Sequence, residues 1–124
     1  MEFNDNLPIY LQIKQVLADR IIRGDLRPGD QLPPVRQLAL DLTVNVNTVQ
    51  RALSTMIQDG IIVTQRGRGN FVTEDATVVS RLTAAVVDSA VASLCTQLTT
   101  LGLTDSQIIQ AVTQHLAGKD DSND

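Results

Sequence analysis

The chain has 124 residues, a formal net charge of −4, 43% hydrophobic content and only 2% aromatic content. That length holds one compact domain plus an appendage. So few rings require an aliphatic core and argue against a reader of single strands that stacks bases on aromatics. Cys95 is the lone cysteine, which rules out an intrachain disulfide and fits a reducing compartment. No basic-then-apolar leader is seen, and a cytoplasmic location is expected.

Taken as a sum, the charge argues against nucleic acid, but its distribution does not. Residues 7–73 carry eight Lys/Arg against five acids, a net of +3, and residues 74–124 carry two against seven, a net of −5. A basic front with an acidic rear suits a duplex binder, because the local field at the phosphates matters more than the total.

Residues 1–6 are polar and expected to fray. Pro8 fits a helix start. Ile9, Ile13, Val16, Leu17 and Ile21 follow at helical spacing, and Gly24 stops the run. The Pro28-Gly29 pair marks a tight turn, Gln31-Leu32 has the look of a very short strand, and Pro33-Pro34 can open a new helix. Val35, Leu38, Ala39 and Leu42 give its apolar face. Thr43-Val44 is a short connection to the most informative stretch, residues 45–60.

There Val49, Ala52, Leu53, Met56 and Ile57 form one helical face. The opposite face holds Asn47, Gln50, Arg51, Ser54 and Gln58, where a solvated helix would usually carry Glu and Lys. Amide side chains donate and accept, which suits base edges in a major groove. Asn45 or Asn47 can cap the helix, Asn47 and Gln50 have capping-box spacing, and Gly60 can end it. Two short amphipathic helices joined by a tight turn are a helix-turn-helix signature. After Gly60 the period changes. Ile61 to Gln65 reads as a strand, Arg66-Gly67-Arg68-Gly69 as a charged turn, and Asn70 to Thr73 as the returning strand. Arg66 and Arg68 on such a wing can reach phosphates or a narrow minor groove.

The runs Leu32-Pro33-Pro34-Val35-Arg36-Gln37-Leu38-Ala39, Asn45-Val46-Asn47-Thr48-Val49-Gln50-Arg51-Ala52-Leu53, Asp59-Gly60-Ile61-Ile62 and Arg66-Gly67-Arg68-Gly69-Asn70-Phe71-Val72 together resemble the N-terminal domain of GntR-family bacterial transcriptional regulators. The resemblance spans roughly residues 7–73, and the short remainder resembles the YtrA-type subfamily. It implies a winged helix-turn-helix fold and a homodimer on a near-palindromic operator, more often a repressor than an activator. It places DNA contacts at Arg36, Asn45, Val46, Asn47, Thr48, Gln50 and the wing glycines, Gly67 and Gly69. The family often carries Arg where this chain has Val46 and Gln50. Gln50 suits adenine, and Val46 offers apolar contact to a thymine methyl.

Other side chains have two readings each. Arg36 can reach DNA or pair with Asp41. Arg51 can lie along a phosphate or pair with Asp59. Tyr10 can join the core or donate its hydroxyl to a phosphate. His115 near a helix end and Cys95 on a helix flank read as structural. No catalytic constellation, zinc spacing or phosphate loop is present, so no enzyme, metal or cofactor is expected. The rival reading is a winged-helix protein-interaction module, which fold alone does not exclude.

Beyond Thr73, Ala84, Val87, Val91, Leu94, Leu98 and Leu101 repeat at three and four residues, a heptad-like seam on a predicted helix over residues 77–101. Asp88 and many Ser and Thr residues argue against a membrane span. Gly102 ends that helix. Thr104 and Gln107 form a second capping box, and Ile108, Ile109, Val112 and Leu116 line a following helix expected to stop at Gly118. The expected organisation is a DNA-binding domain over 1–74, a two-helix dimerisation hairpin over 75–118 and a disordered acidic tail over 119–124. Ala84, Val87, Val91, Leu94, Leu98, Leu101, Ile108 and Val112 would meet a second copy in a two-fold dimer. The small residues Ala84, Ala85, Ser89, Ala90, Ala92 and Ser93 allow either a closed interface or a gap that holds a small-molecule effector.

Overall fold

The computed structural model describes residues 6–122, with side chains as far as Lys119. The fraying expected over residues 1–6 therefore falls almost entirely outside the described residues. The elements are α1 (Ile9–Arg23), α2 (Val35–Leu42), α3 (Val46–Gln58), β1 (Ile62–Gln65), β2 (Gly69–Val72), α4 (Ala76–Thr100) and α5 (Asp105–Ser122). The chain divides into a front unit reaching Ala84 and a rear unit from Ala85.

In the front unit the expected helices form close to the expected bounds. Pro8 precedes α1, and Gly24 ends it at φ +86°, with its N–H donating to the Ile21 carbonyl. Pro34 precedes α2. Thr43 ends α2 at φ +57°, the one non-glycine residue with positive φ among the described residues. That conformation costs an L-residue roughly 1–2 kcal/mol, and here it turns the chain from α2 into α3 within three residues.

β1 and β2 pair antiparallel from Ile62 against Val72 to Gln65 against Gly69. The short strand expected at Gln31 exists as a single bridge to Phe71. Leu32 N–H donates to the Asn70 carbonyl at 2.8 Å and Val72 N–H to the Asp30 carbonyl at 2.8 Å, so this segment edges the hairpin. The core is aliphatic, as the lack of rings requires. Ile13, Leu17, Leu38, Val49, Met56, Ile62 and Val72 are each less than 2% exposed.

The boundary of the front unit lies later than the composition shift at residue 74. Val78, Val79 and Leu82, on the first turns of α4, pack against the front core. Asp75 starts that helix by accepting the Thr77 backbone N–H at 2.9 Å. The acidic shift marks a change of surface, whereas the apolar pattern continues through it.

In the rear unit, Thr104 and Gln107 form the expected reciprocal cap. Thr104 N–H donates to Gln107 Oε1 at 2.9 Å, and Gln107 N–H to Thr104 Oγ1 at 3.2 Å. Gly102, at φ +95°, separates the two helices. Gly118 does not end α5, which continues to Ser122. It does not take positive φ, and one glycine inside a helix costs only about 1 kcal/mol relative to alanine. The segment from Lys119 that was expected to be disordered is thus helical through Ser122, and residues 123–124 lie outside the described residues. No residue of α4 is buried, and Ile108 is the buried hydrophobic of the rear unit among the described residues. By length and composition alone α4 is apolar enough to cross a membrane.

Candidate nucleic-acid interface

The local sequence around α3 builds a helix with one buried and one uncommitted face. Val49, Ala52, Leu53 and Met56 are buried. Asn45 is the cap, its Oδ1 accepting the Asn47 backbone N–H at 2.7 Å. A capping box between Asn47 and Gln50 does not form, because the helix starts at Val46 and places both residues inside it. Their side chains remain exposed and have no hydrogen-bond partner among the described residues. Val46 is 36% exposed and Thr48 half-buried.

Two ion-pair readings are replaced by other partners. Asp59 is 3.6 Å from Lys14, a link from α3 to α1, while Arg51 lies over the Tyr10 ring with its guanidinium carbon 4.0 Å from the centroid. Asp41 accepts a hydrogen bond from Gln37 Nε2 at 2.7 Å. Arg36, exposed at the start of α2, has no ion pair among the described residues. Tyr10 is half-buried and packs at the edge of the core.

The wing tip turns as its glycines dictate. Gly67 and Gly69 have φ of +78° and +118°, and Arg68 N–H donates to the Gln65 carbonyl at 2.9 Å. The conformation calls for glycine at Gly69, and a Cβ there would lie 2.8 Å from Gln31 Nε2 and so displace that amide. Gln31 Nε2 donates to the Arg68 carbonyl at 2.7 Å across 37 residues of sequence. Arg66 and Arg68 are exposed, and the Arg68 guanidinium carbon is 5.7 Å from the Phe71 ring centroid.

The structure therefore brings Tyr10, Asn47, Thr48 and Arg51 together with Pro8 and Ile9 around one open groove of about 400 Å³. Arg66 to Gly69 stand at the tip of the hairpin, whose first strand packs on α3. Sequence spacing gives no sign of Gln31 as a support of the wing, since its contacts with Arg68 and Phe71 join residues far apart in the chain.

The model of the family described as bacterial regulatory proteins, gntR family, matches residues 9–72. An uncharacterized HTH-type transcriptional regulator, YhcF of Bacillus subtilis, is 38% identical over 111 residues, covering 90% of this chain and 92% of its own. The HTH-type transcriptional repressor YtrA of the same organism is 45% identical over 69 residues, covering 56% of this chain and 53% of its own. A GntR family transcriptional regulator from Listeria monocytogenes superposes with a TM-score of 0.83 at 34% identity, over 90% of this chain and 98% of that one. The DNA-binding domain of AraR, solved with an operator, superposes with a TM-score of 0.53 at 27% identity, over 59% of this chain and 86% of that one. An uncommitted polar helix face beside a glycine-built wing, on a chain so closely matched along its length, makes the protein a DNA-binding transcriptional regulator, not an enzyme, and a member of the gntR family of bacterial regulatory proteins.

Proposed function

We propose that the protein is a cytoplasmic repressor that binds a near-palindromic operator as a homodimer. The observation that carries this is the state of the α3 face. Asn47 and Gln50 are exposed with their donors and acceptors unspent among the described residues, and a polar face without partners in the folded chain is free for base edges. Asn45, Val46 and Thr48 flank these readers at the start of the helix. Arg36, Arg66 and Arg68 supply charge to phosphates, and Gly67 and Gly69 let the wing backbone approach the duplex. Relatives named as repressors support the direction of control.

The rear helices support the dimer. Val87, Val91, Leu94, Leu101, Ile109 and Leu116 are between 42% and 75% exposed in the single chain. A second copy covers such a face with its own, in the two-fold arrangement that a palindrome mirrors. Lipid is a poorer match, because Asp88 lies near the middle of α4 and a charge there costs roughly 2.5–3.5 kcal/mol in a bilayer. Ile108 is already buried within one chain, so Ile109 and Leu116 contribute more to the second copy than it does.

Selection of bound sequences from a randomised duplex pool tests the reading. The expected result is a palindrome with half-sites about 34–36 Å apart or a multiple of that. Asn47→Ala or Gln50→Ala should change the preferred sequence, each lost base contact costing about 1–3 kcal/mol. Unchanged preferences in both variants would remove these residues as readers. Titration calorimetry against metabolites separates a closed dimer interface from one with a ligand gap: heat accompanied by release of the operator marks the gap.

A further inference from the structure

We propose that Tyr10 is a positioning residue for DNA binding, its ring seating the Arg51 guanidinium so that the arginine presents its donors to a backbone phosphate. The inference rests on the DNA-binding reading of the α3 face and adds how one cation of that face is held.

At 4.0 Å from the ring centroid the Arg51 guanidinium lies against the face of Tyr10. A guanidinium stacked in this way uses its face, while its N–H donors lie in its plane and stay available for a planar or tetrahedral oxyanion. Those donors have no acceptor among the described residues, because Asp59, the acid a little over two turns along the chain from Arg51, is engaged by Lys14. The same two side chains line the open groove with Asn47 and Thr48. A cation held at the rim of a groove that also carries Asn47, one of the two proposed readers, is placed to meet the backbone of the strand that Asn47 reads. Tyr10 is on α1 and Arg51 on α3, so the stack also fixes the reading helix against its neighbour at the end that faces the ligand. The ring, rather than the hydroxyl, is the functional part of Tyr10 in this arrangement. That is the opposite of a direct hydrogen bond from the phenol to a phosphate, and the two are separable.

The test is equilibrium binding of the full chain to a mixed-sequence DNA duplex across a salt series. Tyr10→Leu should weaken binding about 2- to 5-fold, the range expected of an exposed cation–π contact. Tyr10→Phe should restore most of that loss, since it keeps the ring. Arg51→Ala should reduce the slope of log affinity against log salt by about one. Arg51→Lys, which keeps the charge but not the flat stack, should weaken binding as Tyr10→Leu does. In the Arg51→Ala background, Tyr10→Leu should add no further loss, a result that a merely structural tyrosine would not give.

The proposal is overturned if Tyr10→Leu binds like the wild type, if its loss persists undiminished in the Arg51→Ala background, or if Tyr10→Phe is as weak as Tyr10→Leu. The last outcome assigns the contact to the hydroxyl. Should Tyr10→Leu fail to fold by circular dichroism, Tyr10→Phe and Arg51→Lys decide alone. A wild-type chain that ignores the duplex even at low salt overturns the DNA reading itself, which distinguishes that failure from failure of the stack.

Discussion

The front unit closes its core with the side chains of one chain, from Ile13 and Leu17 on α1 to Val72 on β2. The rear unit, built from residues just as apolar, leaves Val87, Val91, Leu94 and Leu101 exposed. Three helices and a hairpin approach one another from several directions and cover their apolar faces mutually. Two successive helices cannot do so, and the excess is exposed in the single chain. Hydrophobic spacing thus says which face needs covering, and the number of neighbouring elements decides whether the chain itself can cover it.

The sharpest way to break this comparison is Leu94→Asp. A buried leucine contributes about 1.5–3 kcal/mol, counted twice in a two-fold dimer, so association should weaken by about 3–6 kcal/mol. Sedimentation should then show monomer, while circular dichroism of the front unit stays unchanged. Loss of the front fold instead would show that the two units are not separable in this sense. Next in size is Leu17→Ala, fully buried in the single chain, with an expected cost of about 2–5 kcal/mol in thermal or urea unfolding. Its effect should not depend on protein concentration, unlike that of Leu94→Asp.

Asn45 sharpens the comparison within the front unit, because it caps α3 and is proposed to lie beside the ligand. Asn45→Ala should cost about 1 kcal/mol of stability through loss of the cap. Asn45→Asp should keep the cap, yet weaken duplex binding by placing a negative charge near phosphates. Equal duplex affinity for Asn45→Asp and wild type would confine Asn45 to capping. Smallest is Arg66→Ala, expected to leave the melting temperature unchanged and to lower the salt slope of binding by about one.

Much of the front unit was legible because its signals are local. Pro8 and Gly24 bracket α1, and the 3.6-residue period of Val49, Ala52, Leu53 and Met56 assigns the buried face of α3 and, by subtraction, its exposed polar face. What spacing could not show were contacts between residues distant in sequence. Gln31 reaches the Arg68 carbonyl across 37 residues, and Arg51 chose the ring of Tyr10 over Asp59. Val78, Val79 and Leu82 belong to the front core although the charge pattern changes before them, since charge reports on surface and not on what lies beneath. Gly118 has the position of a stop after the last apolar residue of α5, but glycine permits positive φ without demanding it. Gly102 takes that conformation and Gly118 does not.

The ring beneath Arg51 has one more consequence. The chain contains a single tyrosine and no tryptophan, so its intrinsic ultraviolet emission originates almost wholly from Tyr10. A fluorophore at the rim of the open groove makes the unlabelled protein its own optical probe, and its emission should change on adding a duplex if the stacked cation engages DNA as proposed.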